Sequence, residues 1–425
     1  MRDGGRLAAA IEVLTEIETR HRPVRLALKA WGDASRFAGA KDRAWVSGLV
    51  LDVLRRKRSL AWRMGEESPR AVALAALRFV WDWPLDKVAQ AAGEEPHGPG
   101  PLTDAERAAL ATPRDLTDAP EAVRGDYPDW LDAAMTRVFG ESRADEGAAL
   151  AERAPVDLRV NTLKTDPARA LKALEPFEPT APGLSPNALR VAAPDAAARS
   201  GAVEAIPQFG KGWFEIQDLG SQVAAMAAGD VKGQQVLDLC AGGGGKTLAL
   251  AAAMANTGQI YAYDSDARRL TDTVRRGERA GIRNLQVRTP LNKDPLKGLD
   301  GKMDLVFIDA PCTGTGSWRR HPDTKWRLTP DALAKRQKDQ DQVLDHGATL
   351  TKAGGRMVYV TCSVLPDEDE DRVEAFLARN PAFARKSAAA TPDLEPFLTA
   401  AGDLRLTPRT SNTDGFYVAV LEKQK

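Results

Sequence analysis

The sequence predicts an α/β protein in which a doubly wound parallel sheet follows two smaller regions. Three observations support this prediction. The chain has 425 residues, enough for two or three domains at about 150 residues each. From about residue 232 onward, short apolar runs bounded by turn residues alternate with helical stretches, the pattern of βαβ units. Residues 1 to about 92 instead show helical periodicity only.

The amino-terminal region repeats its apolar residues at helical spacing. Leu7, Ile11 and Leu14 begin one such stripe, and few segments alternate as strands would. An all-helical domain is therefore predicted over residues 1–92. Its basic cluster at residues 55–58 suits a solvated helix end and an RNA or partner surface equally well, so both interpretations stay open.

Two further regions separate the helical domain from the sheet. Residues 93–124 are predicted to be a linker, because the Gly- and Pro-rich stretch that ends at Pro101 cannot continue a helix. Residues 125–225 combine helical pieces with a strand-like segment from Leu158 to Thr162, which indicates a small α+β module. The doubly wound sheet is then expected within residues 226–425.

Composition excludes several classes of protein. Lys and Arg together number 59, as do Asp and Glu, so the chain does not coat polyanions through its overall charge, although a local basic surface is compatible. The longest uncharged apolar run, 248–255, is too short for a bilayer, and Glu12 falls where a signal peptide needs an apolar core. The three cysteines and four histidines lack metal-ligand spacing. We expect a cytoplasmic monomer that binds neither a membrane nor a metal.

A strand at 236–239 runs into a glycine-rich turn that opens a helix. Cys240 stands where a phosphate-binding P-loop needs its first glycine, and Thr247 stands where a dinucleotide fingerprint needs its third. Asp264 ends the next strand, where an acid can accept the hydrogens of ribose hydroxyls. The pattern therefore predicts S-adenosylmethionine, a nucleoside with an amino-acid tail and no phosphates. The predicted cofactor-binding residues are Cys240, Ala241, Gly242, Gly243, Gly244, Gly245, Lys246, Asp264 and Asp309.

Two cysteines follow strands of the predicted sheet. Cys312 comes after the strand 305–308, and Cys362 after the strand 357–360. Ligands of open α/β sheets bind beyond the carboxyl ends of the strands, so both thiols are expected at the edge that carries the glycine-rich turn. A cysteine that merely fills a core belongs within a strand or on a helix face. Position thus favours a functional role for both, whereas Cys240, inside the turn, is interpreted as a small buried residue.

Several long motifs occur in a fixed order along residues 125–425. The motifs are Leu158-Arg159-Val160-Asn161-Thr162-Leu163-Lys164, Gln217-Asp218-Leu219-Gly220-Ser221-Gln222, Asp238-Leu239-Cys240-Ala241 with Gly244-Gly245-Lys246-Thr247, Asp309-Ala310-Pro311-Cys312-Thr313-Gly314-Thr315-Gly316, Arg320-His321-Pro322-Asp323-Thr324-Lys325-Trp326, Thr361-Cys362-Ser363-Val364-Leu365-Pro366 and Asp414-Gly415-Phe416-Tyr417. On these motifs the chain resembles the RsmB/Sun family of RNA 5-methylcytosine methyltransferases. The helical first 90 or so residues are similar in texture to the NusB-like domain of its bacterial ribosomal-RNA members. The resemblance implies a Rossmann-like S-adenosylmethionine-dependent methyltransferase domain, preceded by an α+β RNA-binding module and an all-helical NusB-like domain.

The chain departs from the family pattern at two places. Gly243 stands where family members usually have proline, which raises the ordering cost of the turn by up to about 1 kcal/mol. After the third strand the chain reads Val287-Arg288-Thr289, where an acid commonly contacts the adenine. We therefore assign no adenine partner.

The resemblance also implies roles for the two thiols. It assigns Cys362 as the nucleophile that adds to a cytosine, Cys312 as the thiol that assists release, and Asp309 as a hydrogen-bonding partner of the cytosine ring. Lys246 would neutralise the carboxylate of the cofactor. DNA cytosine methyltransferases need a Glu-Asn-Val motif, and the chain contains no Glu-Asn pair, so RNA is favoured as substrate. The RNA-binding candidates are Arg159, Asn161, Arg319, Arg320, Lys325 and Trp326.

Alternatives remain open at this point. A strand with one polar face explains Arg159 and Asn161 almost as well, and a charged turn explains the segment around Arg320. Small-subunit ribosomal RNA is the expected partner, with transfer RNA as an alternative substrate. A catalytically inactive RNA-binding ribosome-assembly factor is the alternative from another class, and a nucleoside-triphosphate-driven enzyme is disfavoured by the misplaced P-loop glycine.

Overall fold

The computed structural model describes residues 1–193 and 202–425, so residues 194–201 of the predicted α+β module lie outside the described residues. The described chain forms two compact units. The first comprises Met1–Arg153 and Trp318–Leu328, and the second comprises 154–193, 202–317 and Thr329–Lys425. The predicted domain boundaries stay predictions.

The first unit is helical, as predicted, and Leu7 and Leu14 of the predicted stripe are buried. The segment predicted to be a linker contains the helix α7, and Leu110 of this helix joins the helical core. Thr103 and Glu106 cap α7 reciprocally, each side chain bonding the backbone N–H of the other. The helices are α1 (Asp3–Arg20), α2 (Val24–Ala34), α3 (Ala40–Arg55), α4 (Lys57–Met64), α5 (Pro69–Phe79), α6 (Leu85–Ala92), α7 (Asp104–Ala111), α8 (Glu121–Arg124), α9 (Asp132–Phe139) and α10 (Arg143–Leu150).

The second unit begins with a small antiparallel sheet in the order β2-β1-β3, which confirms the α+β character predicted for this stretch. Leu158 and Val160 face a core of their own, into which Phe214 also packs. The residues of β1 that alternate with them point to the opposite side of the sheet, because successive side chains of a strand point to opposite faces. The elements are β1 (Val156–Val160), α11 (Pro167–Ala173), β2 (Ala188–Val191), α12 (Pro207–Gly210) and β3 (Phe214–Ile216).

The large sheet has the order β10-β11-β8-β7-β4-β5-β6, and β9 pairs with the outer side of β11. Its strands from β8 to β6 run parallel, which confirms the predicted doubly wound fold, while β9, β10 and β11 add antiparallel pairings. The elements are α13 (Leu219–Met226), β4 (Gln235–Asp238), α14 (Gly245–Ala253), β5 (Gln259–Tyr263), α15 (Ala267–Ala280), β6 (Leu285–Arg288), β7 (Met303–Asp309), α16 (Asp323–Arg327, in the first unit), α17 (Pro330–Leu350), β8 (Thr351–Thr361), α18 (Glu370–Arg379), β9 (Phe383–Lys386), β10 (Leu404–Leu406), α19 (Pro408–Ser411) and β11 (Phe416–Lys423).

The central strands bury both of their faces. Leu305 and Phe307 of β7 point into one core, whereas Val306 and Ile308 point into the other. Such continuous apolar runs are typical of parallel strands covered by helices on both sides. The strand order reverses between β4 and β7, and ligands of open α/β sheets bind at this switch point.

None of the helices in the described part of the chain combines the length and apolar character that a bilayer span requires. Among the same residues, no group of three or more His, Cys, Asp or Glu side chains is placed to hold a metal ion.

Candidate active site

The glycine-rich turn at the switch point depends on glycine at two positions. Gly242 and Gly244 have φ angles of 54° and 81°, in the left-handed region that other residues rarely adopt. A Cβ on Gly244 would also lie 2.9 Å from the side chain of Thr273. Gly243 lies outside this region of φ, and a Cβ there would meet only Arg276 at an ordinary 3.5 Å.

Asp264, at the carboxyl end of β5, holds this turn in place. One carboxylate oxygen accepts the backbone N–H of Gly242 at 2.8 Å, and the other accepts that of Asp266 at 2.8 Å. Asp238 ties the end of β4 to the first turn of α14 by accepting the Thr247 hydroxyl at 2.6 Å. Burial raises the pKa of Asp238 to about 7.

A cavity of about 550 Å³ opens along this edge of the sheet. Eight of the nine predicted cofactor-binding residues line it, and the ninth, Gly244, closes the turn beside it. Cys312 and Cys362 line the same cavity, so the structure brings together the glycine-rich turn and both predicted thiols. A cavity of about 650 Å³ in the first unit is lined by residues such as Trp31 and Phe37, and none of its lining residues is a cysteine.

The two thiols face each other across neighbouring loops. Cys312 follows β7 and Cys362 directly follows the adjacent parallel strand β8, and their Sγ atoms lie 3.4 Å apart. The contact with Cys362 and burial raise the pKa of the Cys312 thiol well above its usual range, and the charge of Glu368 adds to this effect. This raised pKa favours the protonated form of the Cys312 thiol.

Backbone contacts join the three motifs that carry or support the thiols. The N–H of Gly316 donates to the carbonyl oxygen of Cys362 at 2.9 Å, and the N–H of Gly415 donates to that of Gly316 at 2.8 Å. A Cβ on Gly316 would lie 2.2 Å from the Gly415 carbonyl oxygen, so only glycine allows this approach. The hydroxyls of Thr315 and Ser363 lie 3.0 Å apart and connect the same loops.

Lys246 and Asp309 form an ion pair on the wall of the cavity, with Nζ and Oδ2 2.8 Å apart. Burial alone would lower the pKa of Lys246, but the charge and hydrogen bond of Asp309, together with the nearby Asp238, raise this pKa above its usual value. The ammonium also lies 5.2 Å from the centre of the Phe416 ring. Lys246 is thus a fixed cation, and about a third of the Asp309 side chain remains exposed.

The turn and the cavity fit S-adenosylmethionine. The left-handed glycines let a ligand approach the backbone of the turn, and Asp264 presents its carboxylate to the same cavity. Lys246 would hold the carboxylate of the cofactor, and Asp264 its ribose. The fold and this site define the chain as an S-adenosylmethionine-dependent methyltransferase.

Comparisons with known proteins agree. Residues 225–422 match the model of the family described as 16S rRNA methyltransferase RsmB/F. The chain is 32% identical to the ribosomal RNA small subunit methyltransferase B of Citrobacter koseri over 70% of this chain and 67% of that protein. The enzyme of the same name from Klebsiella pneumoniae is 33% identical over 70% of this chain and 66% of its own length. The alignments thus span about two thirds of these relatives.

The crystal structure of PH0851 superposes on the described fold with a TM-score of 0.73, at 24% identity, and covers 100% of this chain and 99% of that one. This likeness extends the shared fold to the helical amino-terminal region, which fits the NusB-like domain predicted there. The chain belongs to the RsmB/F family of RNA methyltransferases. Membership confirms the predicted resemblance, the class of enzyme and S-adenosylmethionine as the cofactor.

Two RNA-binding candidates of the small sheet are buried inside the second unit. Arg159 donates from Nε to Gln217 at 2.7 Å, and burial lowers its pKa to about 10. Asn161 donates from Nδ2 to the carbonyl oxygens of Gly212 and Ala280, both at 2.8 Å. These contacts give both side chains a structural role, and their contact with RNA stays a prediction.

The other four candidates, Arg319, Arg320, Lys325 and Trp326, lie within the first unit. Lys325 is 1% exposed and donates from Nζ to the carbonyl oxygen of Arg55 at 2.6 Å. Trp326 donates from Nε1 to the carbonyl oxygen of Leu54 at 2.6 Å. The backbone carbonyl of Arg319 accepts two bonds from the Arg55 side chain. These bonds attach the segment to α3, and its contact with RNA stays a prediction.

Sequence reasoning missed several residues that shape the site. Gln217 and Ser221 line the cavity from the motif that begins at Gln217, and no role follows for this motif from the sequence. Phe416 belongs to the Asp-Gly-Phe-Tyr motif and stands beside Lys246. Glu368 and Gln340 support the Cys312 loop, and their only sequence signal is that Glu368 follows Cys362 by six residues.

Proposed function

We propose that the chain transfers a methyl group from S-adenosylmethionine to carbon 5 of a cytosine in RNA, with small-subunit ribosomal RNA as the substrate. The observation that carries this proposal is the pair of thiols 3.4 Å apart in the cavity of the glycine-rich turn. Carbon 5 of cytosine is too weak a nucleophile to take a methyl group directly. A thiolate added at carbon 6 moves electron density onto carbon 5, which explains the need for a cysteine in this cavity.

In this proposal Cys362 is the nucleophile. Its sulfur forms a bond with carbon 6, and this bond breaks again after carbon 5 has gained the methyl group and lost its proton. Bound in the cavity, the cofactor supplies that methyl group. Asp309, fixed by Lys246 on one oxygen, hydrogen-bonds the edge of the cytosine ring with the other. A proton held between that oxygen and N3 offsets the negative charge that builds up toward N3 during the attack.

Cys312 assists release in the proposed cycle. Its thiol keeps its proton beside the attacking sulfur, so it does not compete for carbon 6. After methylation the carbon-5 proton leaves to solvent, and the electron pair left behind re-forms the double bond between carbons 5 and 6 and expels the Cys362 sulfur. The Cys312 thiol, 3.4 Å away, gives its proton to that departing thiolate. The target base has to leave its stack to reach the cavity, at a cost of a few kcal/mol in paired RNA and less in a loop.

The test combines methyl transfer with mapping. Unmethylated 16S rRNA is incubated with the protein and labelled S-adenosylmethionine, and bisulfite sequencing then locates any 5-methylcytosine. We expect one or a few modified cytosines in the wild-type reaction. Labelled rRNA that contains no 5-methylcytosine would contradict the proposal. Methyl transfer to transfer RNA alone would show that transfer RNA, and not ribosomal RNA, is the substrate.

The Cys312→Ala variant tests the division of roles. We expect it to accumulate a covalent protein–RNA adduct with ordinary cytosine on a denaturing gel, because attack proceeds and release stalls. Normal turnover without any adduct would remove Cys312 from the mechanism. Calorimetry with S-adenosylmethionine separates the enzyme from an inactive assembly factor, because a decayed site would show no saturable binding at millimolar ligand.

A further inference from the structure

One buried carboxylate contacts the Cys312 loop, although the proposed chemistry does not use it. Glu368 is 0% exposed. It accepts the backbone N–H of Thr313 at 2.9 Å, the hydroxyl of Thr313, and Nε2 of Gln340 at 3.0 Å. Thr313 directly follows Cys312, so this carboxylate fixes the residue next to the thiol.

Gln340 completes the arrangement from the other side of the thiol. It is buried on the long helix α17, and its Nε2 also donates to the carbonyl oxygen of Pro311 at 3.0 Å. Residues 311 and 313 are therefore both hydrogen-bonded to one Glu368–Gln340 pair. The Cys312 loop is held on both sides of its sulfur.

Glu368 also belongs to the loop that carries the other thiol. It follows Cys362 by six residues, and its carbonyl oxygen accepts the hydroxyl of Tyr359 in β8 at 2.7 Å. One side chain thus connects the two loops whose sulfurs lie 3.4 Å apart. This connection adds to the contacts of Gly316 with Cys362 and of Thr315 with Ser363 that join the same loops.

Burying a carboxylate in this space is unfavourable in free energy. Burial raises the pKa of Glu368, while the bonds from Thr313, Ser363 and Gln340 act in the opposite direction. A buried charge with hydrogen-bonding partners contributes little stability compared with apolar residues of similar volume. Stability alone therefore does not explain the residue, whereas control over loop geometry does.

We infer that Glu368, together with Gln340, is a positioning residue that holds the Cys312 sulfur beside Cys362 for release of the methylated base. The inference rests on the proposed covalent function and assigns it a further residue. Glu368 acts through the loop 311–313, so its loss should affect release rather than cofactor binding. A displacement of about 1 Å at a reacting group can cost about 10²-fold in rate.

The first experiment compares Glu368→Gln with Asp367→Asn, which makes the same change of charge one residue earlier. Labelled S-adenosylmethionine and 16S rRNA transcripts give kcat and KM. We expect Glu368→Gln to lower kcat by about 10- to 100-fold with KM for both substrates changed less than about twofold. It should also accumulate adduct with ordinary RNA, and Asp367→Asn should match the wild type.

A gentler pair of variants covers the case in which Glu368→Gln does not fold. Thr313→Val removes the hydroxyl that donates to Glu368 but keeps the size of the side chain and the backbone N–H, whereas Thr313→Ser keeps the hydroxyl. We expect Thr313→Val to slow release and to accumulate adduct, and Thr313→Ser to restore turnover. Thermal unfolding of both variants reports on the fold.

A transcript containing 5-fluorocytidine separates the proposed covalent function from the proposed role of Glu368, because this base traps the attacking protein without requiring release. Wild-type protein that forms no adduct with it would remove the proposed covalent function, and the role of Glu368 with it. Wild-type trapping combined with normal kcat and no accumulated adduct in both Glu368→Gln and Thr313→Val would overturn the positioning role alone. A raised KM at unchanged kcat would also overturn it.

Discussion

The cofactor side and the thiol side of the cavity are built in different ways. On the cofactor side, β4, the glycine-rich turn and α14 follow one another in the chain. Asp264, just beyond β5, and Thr273 and Arg276 of α15 hold the turn through hydrogen bonds to its backbone. On the thiol side, three segments distant in sequence meet through the backbones of Cys362, Gly316 and Gly415. The centre of the first side is thus one continuous segment of chain, whereas the second side is assembled from separate segments that meet only once the sheet has formed.

This difference predicts where single substitutions act. A change in the turn should mainly affect cofactor binding, because the turn lines the cofactor side of the cavity. A change in the thiol loops should affect catalysis or the stability of the domain, because each loop supports the other two. Four substitutions test the comparison.

The largest effect is expected at the nucleophile. Cys362→Ser replaces a thiolate by a hydroxyl that is a far weaker nucleophile at neutral pH, so methyl transfer to 16S rRNA should fall by about 10³-fold or more. Binding of S-adenosylmethionine, measured by calorimetry, should stay within about twofold of the wild type, because the turn is intact. Turnover near the wild-type rate would show that Cys362 on the thiol side is not the nucleophile.

The next effect is expected at the contact between the thiol loops. Gly316→Ala places a Cβ 2.2 Å from the Gly415 carbonyl oxygen, and relief requires a backbone shift. The free energy of unfolding should fall by about 1–3 kcal/mol, and turnover should fall in the protein that remains folded. Denaturant titration measures the first quantity. An unchanged unfolding midpoint would mean that the loops pack independently of each other.

A smaller effect is expected in the turn itself. Gly244→Ala imposes a left-handed conformation on alanine, which costs about 1–2 kcal/mol, and it crowds Thr273 at 2.9 Å. Affinity for S-adenosylmethionine should fall with little effect on adduct formation at saturating cofactor. Calorimetry checks the first part, and full affinity in this variant would contradict the description of the turn.

The smallest effect, of opposite sign, is expected one residue earlier. Gly243 lies outside the left-handed region and has room for a Cβ, so Gly243→Ala should stabilise the protein by about 0.4–1 kcal/mol through a less flexible unfolded chain. It also serves as the matched control for Gly244→Ala. A loss of stability in thermal unfolding would show that this position needs glycine after all.

The same contrast between local and distant contacts explains which parts of the site could be predicted from the sequence. The turn, Asp264 and the strand ends that carry Cys312 and Cys362 follow from local patterns, and the structure brings them together in one cavity. The ion pair of Lys246 with Asp309 could not be predicted, because its partners lie 63 residues apart and meet only through the pairing of β4 with β7.

Other details depended on tertiary contacts or on an overlooked signal. Lys325 and Trp326 combine a cation with an aromatic ring, and nothing in this local pattern shows that both would bond to backbone carbonyls of α3. The helix α7 could have been found, because Thr103 and Glu106 form a capping box just beyond the Gly- and Pro-rich stretch. The prediction of a linker instead follows from the prolines of that stretch and overlooks the capping box.

The central claim is a transient bond between the Cys362 sulfur and carbon 6 of a cytosine. The most direct measurement is mass spectrometry of the peptide that is cross-linked when the protein acts on RNA containing 5-fluorocytidine in the presence of S-adenosylmethionine. The account predicts one modified peptide, carrying the methylated fluoropyrimidine on Cys362, and its absence in Cys362→Ser. Attachment to Cys312, or an undiminished adduct in Cys362→Ser, would contradict it.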